Sequence, residues 1–422
     1  MTDTVSMKVV AIAIIGGACF VASLLVMGLV EERQSRAEEA KKEIAQGWGE
    51  RQIIVGPLLI AEISVTQGVQ SYLENAYVLP ETLHYETILE PEVRSRGIFK
   101  SVVYTSRVKV SGEFSPDDMR TLTSRGIRTA TLTVAITDTR GIERQFDLSW
   151  NGASFAFEPG PGFDARGSSG LHVTVPVSGT ASIPFAFELQ LKGSEGISIA
   201  PLGTETTLLV ASSWPTPRFV GASLPASRDI AKDGFTAEWR LSSLGRLYPS
   251  TWQGDKTDFL QLVESATGAD LHSEIDAYDM VQRSVKYAIL FIIITFAAFF
   301  LFDVLARVRV HPIQYLLVGS ALALFYLLLL SLAEQIGFIL AYLLATALTA
   351  FLVTAYSAFV LKSKRRALPI FALLAVLYAY LYFILSLEDY ALLAGSVFLF
   401  LLLAAVMYLT RNTDWFSLGK KE

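Results

Sequence analysis

The chain has 422 residues, 35 Lys and Arg against 40 Asp and Glu, a formal net charge of -5 and 52% hydrophobic residues, with a mean hydropathy of +0.44. The acidic balance argues against a nucleic-acid partner, since phosphate binding needs clustered positive charge, and the hydropathy is too high for a wholly soluble protein. One cysteine, Cys19, rules out a disulfide-stapled fold.

The first apolar segment, Val9 to Val30, carries no charge, and at about 1.5 Å per residue it crosses a hydrocarbon core of roughly 30 Å. It is read as an uncleaved anchor. A cleavable signal peptide is the competing reading, but its apolar run is usually about 7–15 residues and ends in a small-x-small site that is missing here. Cys19 falls inside this span, so the segment that follows has no disulfide and needs its own core. Glu31 to Ala45, EERQSRAEEAKKEIA, has no Gly or Pro and sets Glu32 four residues before Arg36 and Glu38 four before Lys42. That order favours a solvated helical stalk.

From Gln52 the pattern has period two. Ala130, Leu132, Val134 and Ile136 alternate with threonines, Phe185 to Lys192 alternates likewise, and so does Phe235 to Leu241. Further strands are expected at Gln52 to Ser64, Ser101 to Phe114, Phe146 to Phe157, Leu171 to Val177 and Thr206 to Ser213. Asn151-Gly152 is a hairpin signal that splits one of these, and Pro159-Gly160-Pro161-Gly162 marks a sharp loop. Ser115-Pro116-Asp117-Asp118 starts a helix with a capping Ser, Pro and acids. A second helix, Ser273 to Lys286, runs without a breaker into the next span, an arrangement that predicts rigid coupling.

Five apolar segments close the chain: Tyr287 to Leu305, Ile313 to Leu332, Ile336 to Leu361, Leu368 to Leu387 and Ala391 to Leu409. Short links carry Arg307 and Arg309, then Lys362, Lys364, Arg365 and Arg366, and the tail adds Arg411, Lys420 and Lys421. The alternate links hold Glu334 and Glu388-Asp389 without a cation. The positive-inside rule puts both termini in the cytoplasm and Glu31 to Lys286 outside. The expected fold is a six-helix α-helical transmembrane bundle with a large all-β, antiparallel β-sandwich periplasmic domain inserted between the first and second spans. Its parts are a tail and first helix (1–30), the β-rich domain with its stalk (31–286), a five-helix bundle (287–410) and a cytoplasmic tail (411–422). The layout is that of a bacterial inner-membrane protein.

No HExxH, GxSxG, Walker P-loop or CxxC is present, and His84, His172, His272 and His311 are dispersed. No enzyme, cofactor or metal is expected. Asp303 near the end of the second span is expected to pair with Arg307 at headgroup level, and Glu334 reads as a loop acid. No span carries a charge near its middle, which removes most of the case for an ion-coupled transporter. Tyr342, Tyr356, Tyr378, Tyr380, Tyr382 and Tyr408 are assigned to helix packing and lipid anchoring.

Several strings carry a resemblance: KYAIL at Lys286 to Leu290, HPIQYLLVGSALALFYLLLLSLAEQIGF at His311 to Phe338, VGPLL at Val55 to Leu59, RGI at Arg140 to Ile142, EPGPGF at Glu158 to Phe163, GLH at Gly170 to His172, SSWPTPRFVGASLPASR at Ser212 to Arg228 and LTRNTDW at Leu409 to Trp415. In order along nearly the whole chain, they resemble the CreD family of inner-membrane cell envelope integrity proteins. The resemblance implies an envelope-stress role linked to colicin tolerance and to a two-component response to cell-wall damage, and no catalytic residues. The matched positions are the candidates for function. His311 and Pro312 start a span, Gln314 and Tyr315 enter the membrane and are expected to bond to a neighbouring helix, and Asp303 lies near the same end. Trp214, Pro215 and Gly221 form an exposed loop, read as a sandwich corner ahead of a contact surface.

Two readings of function stand. One is a non-enzymatic envelope factor whose β-domain docks a periplasmic or inner-membrane envelope protein. The other is an insertase or lipid-handling protein, since the layout resembles that of the YidC insertases, although no cation lies inside a span here. The bilayer is an expected partner in both.

Overall fold

The structure is a computed structural model. It describes residues 3–67, 70–144, 146–162, 169–177, 181–254, 259–271, 277–305, 310–387 and 390–411. The chain divides into two compact units, Met1–Arg36 with Ile275–Glu422, and Ala37–Glu274.

The second unit holds strands β1 (Gln52–Gln67), β2 (Gln70–Val78), β3 (Thr82–Arg96), β4 (Phe99–Phe114), β5 (Thr129–Ile136), β6 (Asp147–Trp150), β7 (Ala153–Ala156), β8 (Glu158–Pro159), β9 (Gly170–Pro176), β10 (Ile183–Ser194), β11 (Gly196–Ile199), β12 (Glu205–Ser212), β13 (Pro217–Gly221), β14 (Ser227–Ala231), β15 (Gly234–Ser242), β16 (Thr251–Gln253) and β17 (Thr267–Leu271). One sheet has the order β13-β17-β11-β1-β5-β9-β8, with β2 between β1 and β16, and the other runs β14-β15-β12-β3-β4-β10-β6-β7. Both contribute to a single hydrophobic core, with Leu59 and Leu132 from the first and Val110, Leu189 and Trp239 from the second. The alternation is obeyed closely. In β10, Ile183, Phe185, Phe187, Leu189 and Leu191 are buried.

The sheets are mixed, which corrects the antiparallel expectation. β1 pairs parallel with β11, and β12 parallel with β3. Alternation fixes which face of a strand is buried and says nothing about strand direction. The local signals hold. Asn151 and Gly152 (φ 49° and 81°) make the turn between β6 and β7. Helix α2 follows, by chain position between β4 and β5, at Pro116–Ser124, where the Ser115 hydroxyl accepts from Asp117 N.

The remaining helices are α1 (Asp3–Trp48), α3 (Phe259–Glu264), α4 (Ala277–Lys286), α5 (Ala288–Leu305), α6 (Pro312–Ile336), α7 (Phe338–Val360), α8 (Lys364–Ser386) and α9 (Ala391–Thr410). Apolar segment and stalk are one 46-residue helix in α1. Arg36 meets Glu32 at 2.6 Å as expected, while Glu38 meets Lys41 at 3.4 Å.

Among the described residues four helices are long and apolar enough to cross a membrane: Met7–Trp48, Pro312–Ile336, Phe338–Val360 and Lys364–Ser386. The pair Ala277–Lys286 and Ala288–Leu301, bent by 42°, raises this to five if it is one span, and Leu393–Tyr408 is a shorter apolar helix. The break corrects the expected continuous helix into the second span. Ser284, whose hydroxyl donates to Met280 O at 2.8 Å, sits just before it, and Tyr287 N bonds to Ser284 O in a tighter turn. Such back-bonding bends helices. The start of that helix, 273–276, lies outside the described residues, as do His272, Phe163, Arg307, Arg309 and the chain after Arg411. Between α6 and α7 the reversal takes one residue, Gly337 at φ 79°.

Candidate functional site

Helix α6 opens with a reciprocal cap. His311 is extended, its Nδ1 accepts from Ile313 N at 3.3 Å, and its own N–H donates to Gln314 Oε1 at 2.9 Å. Pro312 fills the first helical position, where no N–H is needed. The expected bond from Gln314 to a neighbouring helix gives way to this cap, because the nearest orphan donor is the N–H of His311. Tyr315 is buried with its ring edge-on to Phe296 at 5.4 Å and near Phe299 at 6.1 Å, and its hydroxyl has no hydrogen-bond partner among the described residues.

Asp303 accepts from the ammonium of Lys8 in α1 and from Val310 N at 3.3 Å. The pairing thus joins α1 to the α5–α6 connection, while the expected partner Arg307 lies outside the described residues. At the opposite end of α6, Glu334 belongs to the helix and not to a loop. Tyr278 donates to it at 3.0 Å, and Arg33 of α1 stands 3.9 Å away. Arg283 donates to Leu387 O at 2.8 Å, satisfying a carbonyl left free at the end of α8. Between these ends α1 and α6 approach closely, since a Cβ on Gly319 would overlap Cys19 and Phe296.

The bundle interior is aromatic. Phe325 lies 4.7 Å from Tyr378 and 5.9 Å from Tyr342, and Tyr342 donates to Tyr378 O at 2.6 Å. Tyr342 and Tyr378 therefore pack inside, whereas Tyr408 is exposed. No sequence signal separates these two classes, because lipid and protein interior are equally apolar.

In the β-unit, Trp214 and Pro215 lie where the chain passes from β12 in one sheet to β13 in the other. Trp214 is half-buried against the core, and its N–H donates to Ser212 Oγ at 3.2 Å. Gly221 ends β13 at φ 102°, and a Cβ there would strike the Ala266 carbonyl as β13 pairs with β17. These residues form a corner between the sheets and belong to a different compact unit from the α6 residues.

The other strings that carry the resemblance build the same scaffold. Gly56-Pro57 sits at a bulge in central strand β1 between Val55 and Leu58. His172 Nδ1 bonds to Gly160 O at 2.9 Å, and Thr133 donates to Pro161 O at 2.7 Å, fixing the Pro-Gly loop on β9 and β5.

Sequence reading missed the strongest polar cluster. Asp138 accepts from Arg140 Nε at 2.8 Å, Arg140 Nη2 at 2.9 Å, Arg140 N at 3.1 Å and Glu50 N at 3.0 Å. Burial pushes this carboxyl up, but the hydrogen bonds from Arg140 and the two backbone N–H groups outweigh it and hold the pKa below the usual carboxylate value. Arg51 adds an ion pair to Asp270 at 2.9 Å, and Trp48 donates to Tyr104 O at 3.1 Å. The end of α1 is thereby fastened to the sheets. The spacing Asp-x-Arg was the available signal. Among the described residues, no three His, Cys, Asp or Glu side chains are grouped to hold a metal.

The family model described as Inner membrane protein CreD matches residues 4–416. A curated relative, Inner membrane protein CreD of Escherichia coli (strain K12), is 31% identical over 410 residues, covering 93% of this chain and 90% of the relative. Together with the apolar helices, which mark a multi-pass protein of the inner membrane, this match establishes that the chain belongs to the CreD family of inner membrane proteins.

Proposed function

We propose that the chain is a non-enzymatic envelope factor with six spans and both termini in the cytoplasm. Its β-unit stands in the periplasm and docks an envelope protein, and the helical unit anchors it and relays its state. The observation that carries this reading is the nature of the polar clusters: Asp138 with Arg140, His172 with the Pro-Gly loop, and His311 with Gln314 each close a cap, a loop or a strand end. They brace a scaffold, and a scaffold with two sheets and its own core is suited to docking. The exposed basic link of Lys362, Lys364, Arg365 and Arg366 supports the orientation.

An insertase would need a cation in a wet groove within the bilayer. The groove between α1 and α5, about 390 Å³, is lined by apolar side chains such as Val9, Ile12, Ile292 and Phe296 and by Gly16 and Gly17. Lys8, Arg33 and Arg283 are engaged at helix ends. Photo-crosslinking in intact cells tests the choice, with probes at the exposed Leu224 and at Ile293 beside the groove. A discrete protein adduct at Leu224 with only lipid at Ile293 is expected. Nascent chains at Ile293 with nothing at Leu224 would overturn the proposal. Reporters fused after Arg366 and at Lys232 are expected to read cytoplasm and periplasm.

A further inference from the structure

We infer that the tip of the β3–β4 hairpin, Val93 to Lys100, is a membrane-surface contact that binds the headgroups of anionic phospholipids. The hairpin outruns its sheet. β12 pairs with β3 only as far as Leu89, and β10 pairs with β4 only from Val103 onward, while β3 and β4 continue to the pair Arg96–Phe99. The last four rungs, from Val93–Val102 to Arg96–Phe99, therefore project as a two-stranded ribbon without strand neighbours.

The ribbon's direction is fixed by its contacts with α1. Arg94 lies over the Trp48 ring at 3.8 Å, and Arg96 meets Glu43 at 2.7 Å. Moving two residues along β3 thus moves five residues back along α1, about 7 Å in each case. The tip is thus held on the C-terminal part of α1, and Glu43 follows the apolar run that ends at Val30 by thirteen residues of the same helix.

The chemistry of the tip fits that surface. Arg94, Arg96 and Lys100 fall in a stretch, VRSRGIFK, that has no acid, and all three are exposed. Val93 is 51% and Ile98 42% exposed, so apolar groups lie between the cations as an interfacial contact requires. The Arg96–Glu43 pair is itself exposed and is too weak to withhold the guanidinium. The acid just before the ribbon on β3, Glu92, lies 3.4 Å from Arg94. Because the hairpin belongs to a chain that α1 anchors, weak lipid affinity suffices for high occupancy.

The test uses the full chain in proteoliposomes. Cys19, the single cysteine, is replaced by Ala, and Ile98→Cys or, as a control on the β14–β15 turn, Lys232→Cys carries an environment-sensitive fluorophore. With phosphatidylglycerol present, the label at 98 should shift to the blue and be quenched by headgroup-labelled lipid, while the label at 232 stays solvent-like. Each basic residue removed should lower the contact equilibrium about fivefold, so Arg96→Gln with Lys100→Gln should return the label to solvent. Emission at 98 matching that at 232 would overturn the proposal. So would a contact equally strong in pure phosphatidylcholine and unaffected by the two Gln substitutions. Both sites are exposed, so neither result depends on a damaged core.

Discussion

In the β-unit, the largest fully buried indoles and phenols have partners, while the Thr87 hydroxyl is buried with none among the described residues. Trp150 donates to Pro176 O at 3.0 Å, Trp239 to Ser223 O at 3.1 Å, and Tyr104 to Gly196 O at 2.8 Å. In the helical unit, the hydroxyls of Tyr315, Tyr326 and Thr295 are buried with no hydrogen-bond partner among the described residues. The difference follows from the reference state. A β-strand unfolds into water, so an orphaned group there costs about 1–3 kcal/mol. A helix leaving a bundle enters lipid, where the hydroxyl is no better served, so burial against protein adds little cost. Polar atoms are therefore strong constraints in one unit and weak ones in the other.

The sharpest test of that contrast is Trp239→Ala. The side chain is fully buried, edge-on to Phe219 at 5.7 Å, and its removal takes away packing and orphans the Ser223 carbonyl. A loss of roughly 3–5 kcal/mol is expected, measured by thermal unfolding of the full chain in detergent. A loss below about 1 kcal/mol would mean that the sheets do not share a tight core. Next is the charged exception in the helical unit. Lys8 and Asp303 are 22% and 12% exposed, between the surface and interior cases, so Asp303→Ala is expected to cost roughly 1–3 kcal/mol. A double-mutant cycle with Lys8→Ala checks it, and an additive pair of losses would show that the two do not interact.

Legibility in the sequence follows the same line. Period-two alternation exposed β5, β10 and β15, because one side of each strand faces the core. β3 also alternates, with Leu83, Tyr85, Thr87 and Leu89 inward, yet it was not among the expected strands, and it contains Pro91. It is tolerated because β12 stops at Leu89, leaving no ladder partner for the missing N–H. Strand direction, and with it the two parallel pairs, leaves no mark on a pattern of faces. In the helices hydropathy located the spans but not their faces: Tyr378 inside and Tyr408 outside look alike. Of the candidate residues, the His311 and Pro312 start was legible as local capping chemistry. Lys8 with Asp303, some 295 residues apart in sequence, was not.

A smaller effect separates the units by pH. The folded pKa of Asp138 lies below its unfolded value, so its stabilisation is fully present above the unfolded value near pH 4 and is lost as pH falls through the folded one. Asp138→Asn should therefore flatten the acid side of the β-unit's stability curve, followed by near-ultraviolet circular dichroism between pH 5 and about pH 3. A variant with the wild-type acid slope would assign that slope to other carboxylates.

The smallest expected effect is the most diagnostic. Tyr326→Phe removes a hydroxyl that is buried and has no partner among the described residues, and leaves the ring that packs against Phe325 at 4.9 Å. In a water-referenced core, deleting an orphaned polar atom stabilises by about 1–3 kcal/mol. In the lipid-referenced bundle both states leave it unserved, so the change should be within about 0.5 kcal/mol of zero. A clear stabilisation in detergent unfolding would show that the hydroxyl finds partners when the bundle opens, as it would if water enters before the helices part. A clear loss would show that Tyr326 is bonded in the native bundle. Only the flat result keeps the difference between the units where the structure puts it, in the medium each side chain leaves when it is buried.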